Sequence, residues 1–114
     1  MSRHDDGMAL RQLVDRAREI VALTTARSRE DLNRDRILYL ALLQLLQITG
    51  EAANRLSKAF RESQPQVPWA EIIGLRNRLI HGYNTIDAEI IWKVVAVDVP
   101  ALVTSLEKIV PLDR

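Results

Sequence analysis

Between Gly74 and Tyr83 the chain reads Gly-Leu-Arg-Asn-Arg-Leu-Ile-His-Gly-Tyr, and this run concentrates the polar chemistry of an otherwise apolar protein. The guanidinium of Arg76 can grip phosphate oxygens bidentately. The imidazole of His81, with an ordinary pKa near ~6.5, can move a proton at neutral pH, and the phenol of Tyr83 can donate a hydrogen bond or accept a modification. Asn77 stands four residues before His81 on the same helical face, where it can orient the imidazole or a substrate. Arg76 stands five before, about 140° away around an ideal helix, so it does not simply stack beside His81. Three arrangements remain open: the long arginine reaches round, the last turn departs from ideal geometry, or a second copy of the helix completes the site across a two-fold axis.

On an RNA substrate these residues allow transesterification without a metal ion. His81 would act as general base on a 2′-hydroxyl or as general acid to the leaving 5′-oxygen, while Arg76 stabilises the charge that develops on the phosphorane. The product would carry a 2′,3′-cyclic phosphate, and DNA, which lacks the nucleophile, would be inert. Each residue also has a plainer role. A histidine near a helix C-terminus is a favourable dipole partner, arginine and asparagine near a helix end are often only solvated, and Tyr83 can pack after a turn. Arg78 lies near His81 by helical angle and is a second candidate for phosphate. The carboxylate of Glu51 can pair with Arg76 or Arg78, or belong to an ordinary structural ion pair. There is no GxSxG elbow, no phosphate-cradling glycine loop and no Cys/His cluster; the other histidine, His4, falls in a polar tail, so neither a metal site nor a cofactor is expected.

The elements that must position these groups read as helices. The chain has 114 residues, 47% of them hydrophobic, with only four glycines and four prolines, which suits one all-α domain over residues 1–114. Zero cysteines fit a reducing compartment. No apolar segment long enough to span a bilayer is present and the first seven residues are polar, so a cytoplasmic protein with a mobile tail at 1–7 is expected, without a membrane partner. The formal charge is +1, but residues 52–83 hold five basic against two acidic groups, so the excess of positive charge coincides with the motif.

Leu10, Leu13, Val14, Ala17, Ile20 and Val21 recur at helical spacing and predict a first helix over about 8–26. A polar link from Arg27 to Asn33 leads to a long helix over about 35–61. There Ile37, Leu38, Leu40, Ala41, Leu42, Leu43, Leu45, Leu46 and Ile48 wrap nearly the whole circumference, which calls for cover on more than one side, by a homodimer or by deep burial in a single chain. Arg61 to Val67 forms the main loop. Pro68 suits the first position of a third helix running to about His81, Glu71 suits its positive end, and Gly82 its C-terminal stop. Asp87 should cap a fourth helix bearing Ile90, Ile91, Val94, Val95 and Val97, with Pro100 bending it or starting a short fifth. Trp69 and Trp92 flank the motif helix as core anchors.

The Arg-x4-His-x-Tyr arrangement resembles the motif of HEPN-domain ribonuclease toxins of the HepT type. The likeness extends through Gly50-Glu51-Ala52-Ala53, Pro68-Trp69, Asp87, Ile91-Trp92 and Asp98-Val99-Pro100, covering roughly residues 8 to 110. The resemblance implies an up-and-down four-helix bundle with a bent or additional short C-terminal helix, paired motifs facing one cleft of a dimer, and RNA cleavage through Arg76, Asn77 and His81. It gives the invariant arginine role to Arg76 and leaves Arg78 and Glu51 as supporting residues. It also implies a partner, a minimal nucleotidyltransferase antitoxin that transfers adenylate to Tyr83. A phosphate ester two residues from His81 brings negative charge and bulk that repel an RNA backbone. The alternative from another class is a non-catalytic helical module that binds nucleotide or the transferase, its motif only recognising phosphate.

Overall fold

The computed structural model describes residues 6–80 and 88–110, without the side chains of Arg76, Leu79 and Ile80, and all regular structure among them is helical. Helix α1 (Asp6–Thr24) buries Leu10, Leu13, Val14, Ala17 and Ile20 along one face. Its other face is laced by charges such as the half-buried Arg16 and the exposed Glu19, 3.0 Å apart. The helix begins two residues before the expected start, so Asp6 and Gly7, assigned to the tail, are helical. The reason lies 51 residues downstream. The Asp6 carboxylate accepts hydrogen bonds from both the backbone N–H and the hydroxyl of Ser57, each 2.7 Å, which ties the start of α1 to the far end of the next long helix.

The expected polar link holds a short helix, α2 (Arg29–Arg34). Ser28 enters it in an extended conformation and donates its N–H to the Asp31 carboxylate at 2.8 Å, while Leu32 turns into the core. Asp35 then caps α3 (Arg36–Arg55) by accepting from Leu38 N–H at 3.0 Å. That bond to the ionised form, more than the nearby Arg27, holds Asp35 below the usual carboxylate range. Helix α3 was expected to continue to about 61, but Leu56 adopts an extended backbone and Ser57, held by Asp6, caps a separate α4 (Lys58–Ser63) through its hydroxyl and Phe60 N–H. The apolar periodicity carries across this break; the chain direction does not.

Helix α3 is covered from several sides by its own chain: it packs against α1 and α2, and against α5 (Trp69–Ile73) and α6 (Leu75–Ile80). Leu38, Leu42, Leu45 and Leu46 are buried, and the buried Thr49 hydroxyl donates to Leu45 O at 2.7 Å. Of the nine apolar residues counted around it, only Ile37 and Leu40, 81% and 48% exposed, remain as large side chains facing solvent.

Helices α5 and α6 replace the single helix expected over 68–81. Pro68 is the N-cap, one place earlier than expected, and its carbonyl accepts from Ile72 N–H at 3.1 Å. Gly74, with ψ near 1°, interrupts the helix, although hydrogen bonding runs through it from Gly74 N–H to Ala70 O and from Arg78 N–H to Gly74 O, both 3.0 Å. Trp69 is the expected anchor: it is buried, its indole donates to Gln64 O at 3.0 Å, and Phe60 meets it edge to face. Beneath it α3 approaches with Gly50. A Cβ built there would stand 3.0 Å from Ile72 O, so the two helices touch backbone to backbone.

After the motif come α7 (Ala88–Lys93), a π-helical turn (Val94–Asp98) and α8 (Val99–Glu107). Where a bend or a short fifth helix was expected at Pro100, the chain passes through this wide turn, in which Val99 N–H reaches back to Val94 O, straight into α8 with Pro100 in its first turn. The expected stop at Gly82 and cap at Asp87 lie outside the described residues. Ile91, Val94, Val95, Leu102 and Leu106 are buried, Trp92 is half-buried against the same core, and Arg18 of α1 binds Glu107 of α8 at 2.9 Å. Among the described residues no helix is long and apolar enough to cross a membrane.

Candidate functional site

Helix α6 carries most of the motif, and its placement follows from what lies under it. Leu75 is buried at its start, and the short helix rests on α3 and on α5, which itself meets α3 backbone to backbone at Gly50. Asn77 and Arg78 are exposed and line an open groove of about 460 Å³ together with Ile90 and Lys93 of α7. The Lys93 ammonium is 3.3 Å from the Asp98 carboxylate, in an exposed pair that solvent screens. The groove therefore presents a carboxamide, a guanidinium and an ammonium within one concave surface, a donor set suited to phosphate oxygens.

The structure thus brings Asn77 and Arg78 together and adds Lys93, which the sequence reading missed; its only signal was a lysine one turn from the apolar face of α7. Arg76 has its backbone in α6, with its side chain outside the described residues, as are His81, Tyr83 and His4 in full. Glu51 is exposed on α3 and accepts from the Gln47 amide at 3.5 Å; it forms no ion pair with Arg78. Among the described residues no cluster of three or more metal-ligating side chains occurs.

Arg78 also borders a second cavity, of about 300 Å³, between α5 and α6 on one side and the π turn and α8 on the other. Its floor is aliphatic, formed by Ile72, Leu75, Val94, Val99 and Leu102. Its polar lining comes from Gln66, Glu71, Arg78, Asp98 and Ser105.

Comparison with known proteins adds an independent line. The family model described as ribonuclease HepT-like matches residues 13–109. A protein of Methanocaldococcus jannaschii named "Putative RNase MJ1380" is 35% identical over 107 residues, covering 94% of this chain and 98% of that one. The "Probable ribonuclease HepT" of Thermococcus cleftensis is 35% identical over 80 residues, covering 70% and 73%. No solved structure matches the chain.

Proposed function

The chain belongs to the ribonuclease HepT-like family, and from that premise we propose that it is a metal-independent endoribonuclease, the toxin of a toxin–antitoxin pair. The observation that carries this reading is the groove in which Asn77 and Arg78 of the motif helix meet Lys93 of α7. An RNA backbone laid there is held by two cations. His81 takes the 2′-hydroxyl proton or supplies one to the 5′-oxygen, and Arg76 offsets charge on the phosphorane. Asn77 orients the imidazole or the phosphate, and the cut ends in a 2′,3′-cyclic phosphate.

Two further parts belong to the same proposal. The chain acts as a homodimer through the N-terminal half of α3, where Ile37 and Leu40 stand exposed. A minimal nucleotidyltransferase antitoxin silences it by adenylylating Tyr83, whose added phosphate repels RNA from the groove.

The test is incubation of the purified protein with mixed RNA in the presence of a chelator, followed by end-group analysis, alongside the His81→Ala variant. Cyclic phosphate ends from the native chain and none from a folded His81→Ala protein support the assignment. Binding of RNA or nucleotide without any cleavage would replace it with a recognition module. For the antitoxin, intact mass after reaction with ATP and the transferase should show one adenylate on the native chain and none on Tyr83→Phe.

A further inference from the structure

We propose that the cavity between the motif helix and the π turn receives one unpaired nucleobase of the substrate, next to the cleaved phosphodiester, and favours a base with an exocyclic amine. The proposal rests on the ribonuclease assignment and adds a specificity site to it.

Arg78 is the pivot, because it lines both the cation-bearing groove and this cavity. A phosphate held by Arg78 and Lys93 leaves the attached nucleoside at the cavity mouth. At about 300 Å³ the cavity is at the small end of ligand sites, with room for one base and none for a helix. Single-stranded RNA is read in this way, by splaying a base out of the stack and bonding to its edge.

The lining selects among bases. Ile72, Leu75, Val94, Val99 and Leu102 offer aliphatic contact, with no aromatic ring to stack on among the described residues, so discrimination falls to the polar lining. Glu71 and Asp98 only accept hydrogen bonds when ionised. Glu71, and the Asp98 oxygen left over from its bond to Lys93, match the exocyclic amines of adenine, cytosine or guanine, whereas uracil has no exocyclic amine and offers only N3–H between two carbonyl oxygens. The π turn supplies the wall that carries Val94 and Asp98, and such turns recur at functional sites. A basic protein segment would also suit an acidic rim. Continuity with the cationic groove of the motif helix favours the nucleotide.

Methyl NMR spectra of the full chain titrated with AMP, CMP, GMP and UMP provide the direct test. The Ile72, Leu75, Val94, Val99 and Leu102 methyls should shift with the first three, and UMP should bind at least about tenfold more weakly, as loss of one good edge contact costs. Ala101→Trp, which fills the mouth from an exposed position, should abolish the shifts, and Glu71→Gln should narrow the discrimination against UMP several-fold. In mapped cleavage sites, one flanking position should be depleted of uracil for the native chain and unbiased for Ala101→Trp. Methyls that stay unmoved by every mononucleotide would overturn the proposal even if RNA is cut, leaving a protein segment as the occupant. Equal shifts with UMP would overturn the choice of base. Selective shifts in a protein that cleaves no RNA would instead retire the ribonuclease assignment and keep the cavity as a nucleotide site.

Discussion

Gly50→Ala separates two effects that oppose one another at a single atom. Alanine in a helix interior is favoured over glycine by about 0.8–1 kcal/mol, so on propensity alone the substitution in α3 should stabilise the protein. The added Cβ, however, would stand 3.0 Å from Ile72 O and 3.5 Å from Ile73 O, both backbone atoms that cannot rotate away. Overpacking of this kind costs roughly 1–3 kcal/mol, leaving a net loss centred near ~1 kcal/mol. For a domain of this size that lowers Tm by roughly 4 °C. Gly7→Ala in α1 is the internal control, since nothing lies within 4 Å of its Cβ. Freed of any clash, it should gain about 0.5 kcal/mol and raise Tm by roughly 2 °C. Thermal unfolding of the two variants beside the native chain decides the matter. Because the carbonyls at the end of α5 must move to admit the methyl, Gly50→Ala should also displace α6 and depress RNA cleavage more than its stability loss explains. A Gly50→Ala protein that gains as much stability as Gly7→Ala would refute the backbone contact between α3 and α5.

Asp6→Ala should cost roughly 2 kcal/mol, or about 8 °C in Tm, because it removes both bonds that hold Ser57; an unchanged melt would show that the pairing contributes nothing. Asp35 is held below the ordinary carboxylate range, so its contribution is complete above the unfolded value and disappears as pH falls through the folded one; Asp35→Asn should therefore flatten the acid side of a stability–pH curve. Lys93→Ala should weaken RNA binding several-fold, evenly across sequences, and reduce the slope of log affinity against log salt by roughly 0.7, measured by titration at several ionic strengths. Leu40→Glu should convert the proposed dimer to a 13.0 kDa species in sedimentation, and a native chain already at that mass would end the two-fold proposal.

The helical class and the four apolar faces were legible because they rest on local periodicity, which Leu10 to Ile20 and Leu38 to Leu46 display without help from elsewhere. The breaks were less so. Ser28 with Asp31 is a capping signal inside what reads as a polar link, where apolar residues that would mark a helix face are few around Leu32. Ser57 could be seen as a cap only by knowing that Asp6 arrives there, and no local pattern relates residues 51 positions apart. The same limit applies to the site. Asn77 and Arg78 were visible on one helix, whereas Lys93 joins them only through the packing of α7, and the cavity beside Arg78 is made by elements that meet in three dimensions. Gly50 was legible as a family feature, but its physical reason, a carbonyl 3.0 Å from its missing Cβ, belongs to the packed protein.

The π turn also sets how this segment can absorb a change in length. Ile91, Val95, Val99, Leu102 and Leu106 all face the core, so four turns span fifteen residues where an ideal α-helix would use about 14. A turn closed by the Val99 N–H to Val94 O bond holds one residue more than an α-helical turn, and Val94–Asp98 is where that surplus is stored. One extra residue held in a π turn here keeps Ile91 and Leu106 in phase, whereas the same insertion in α1 would rotate half a core face into water. The surplus also moves the carbonyls ahead of Pro100 away from its ring, so the insertion and the proline are mutually permissive: removing the extra residue would restore a regular helix directly against a side chain that cannot sit in one. Length variation among related chains should therefore be tolerated at this turn only in company with a change at Pro100.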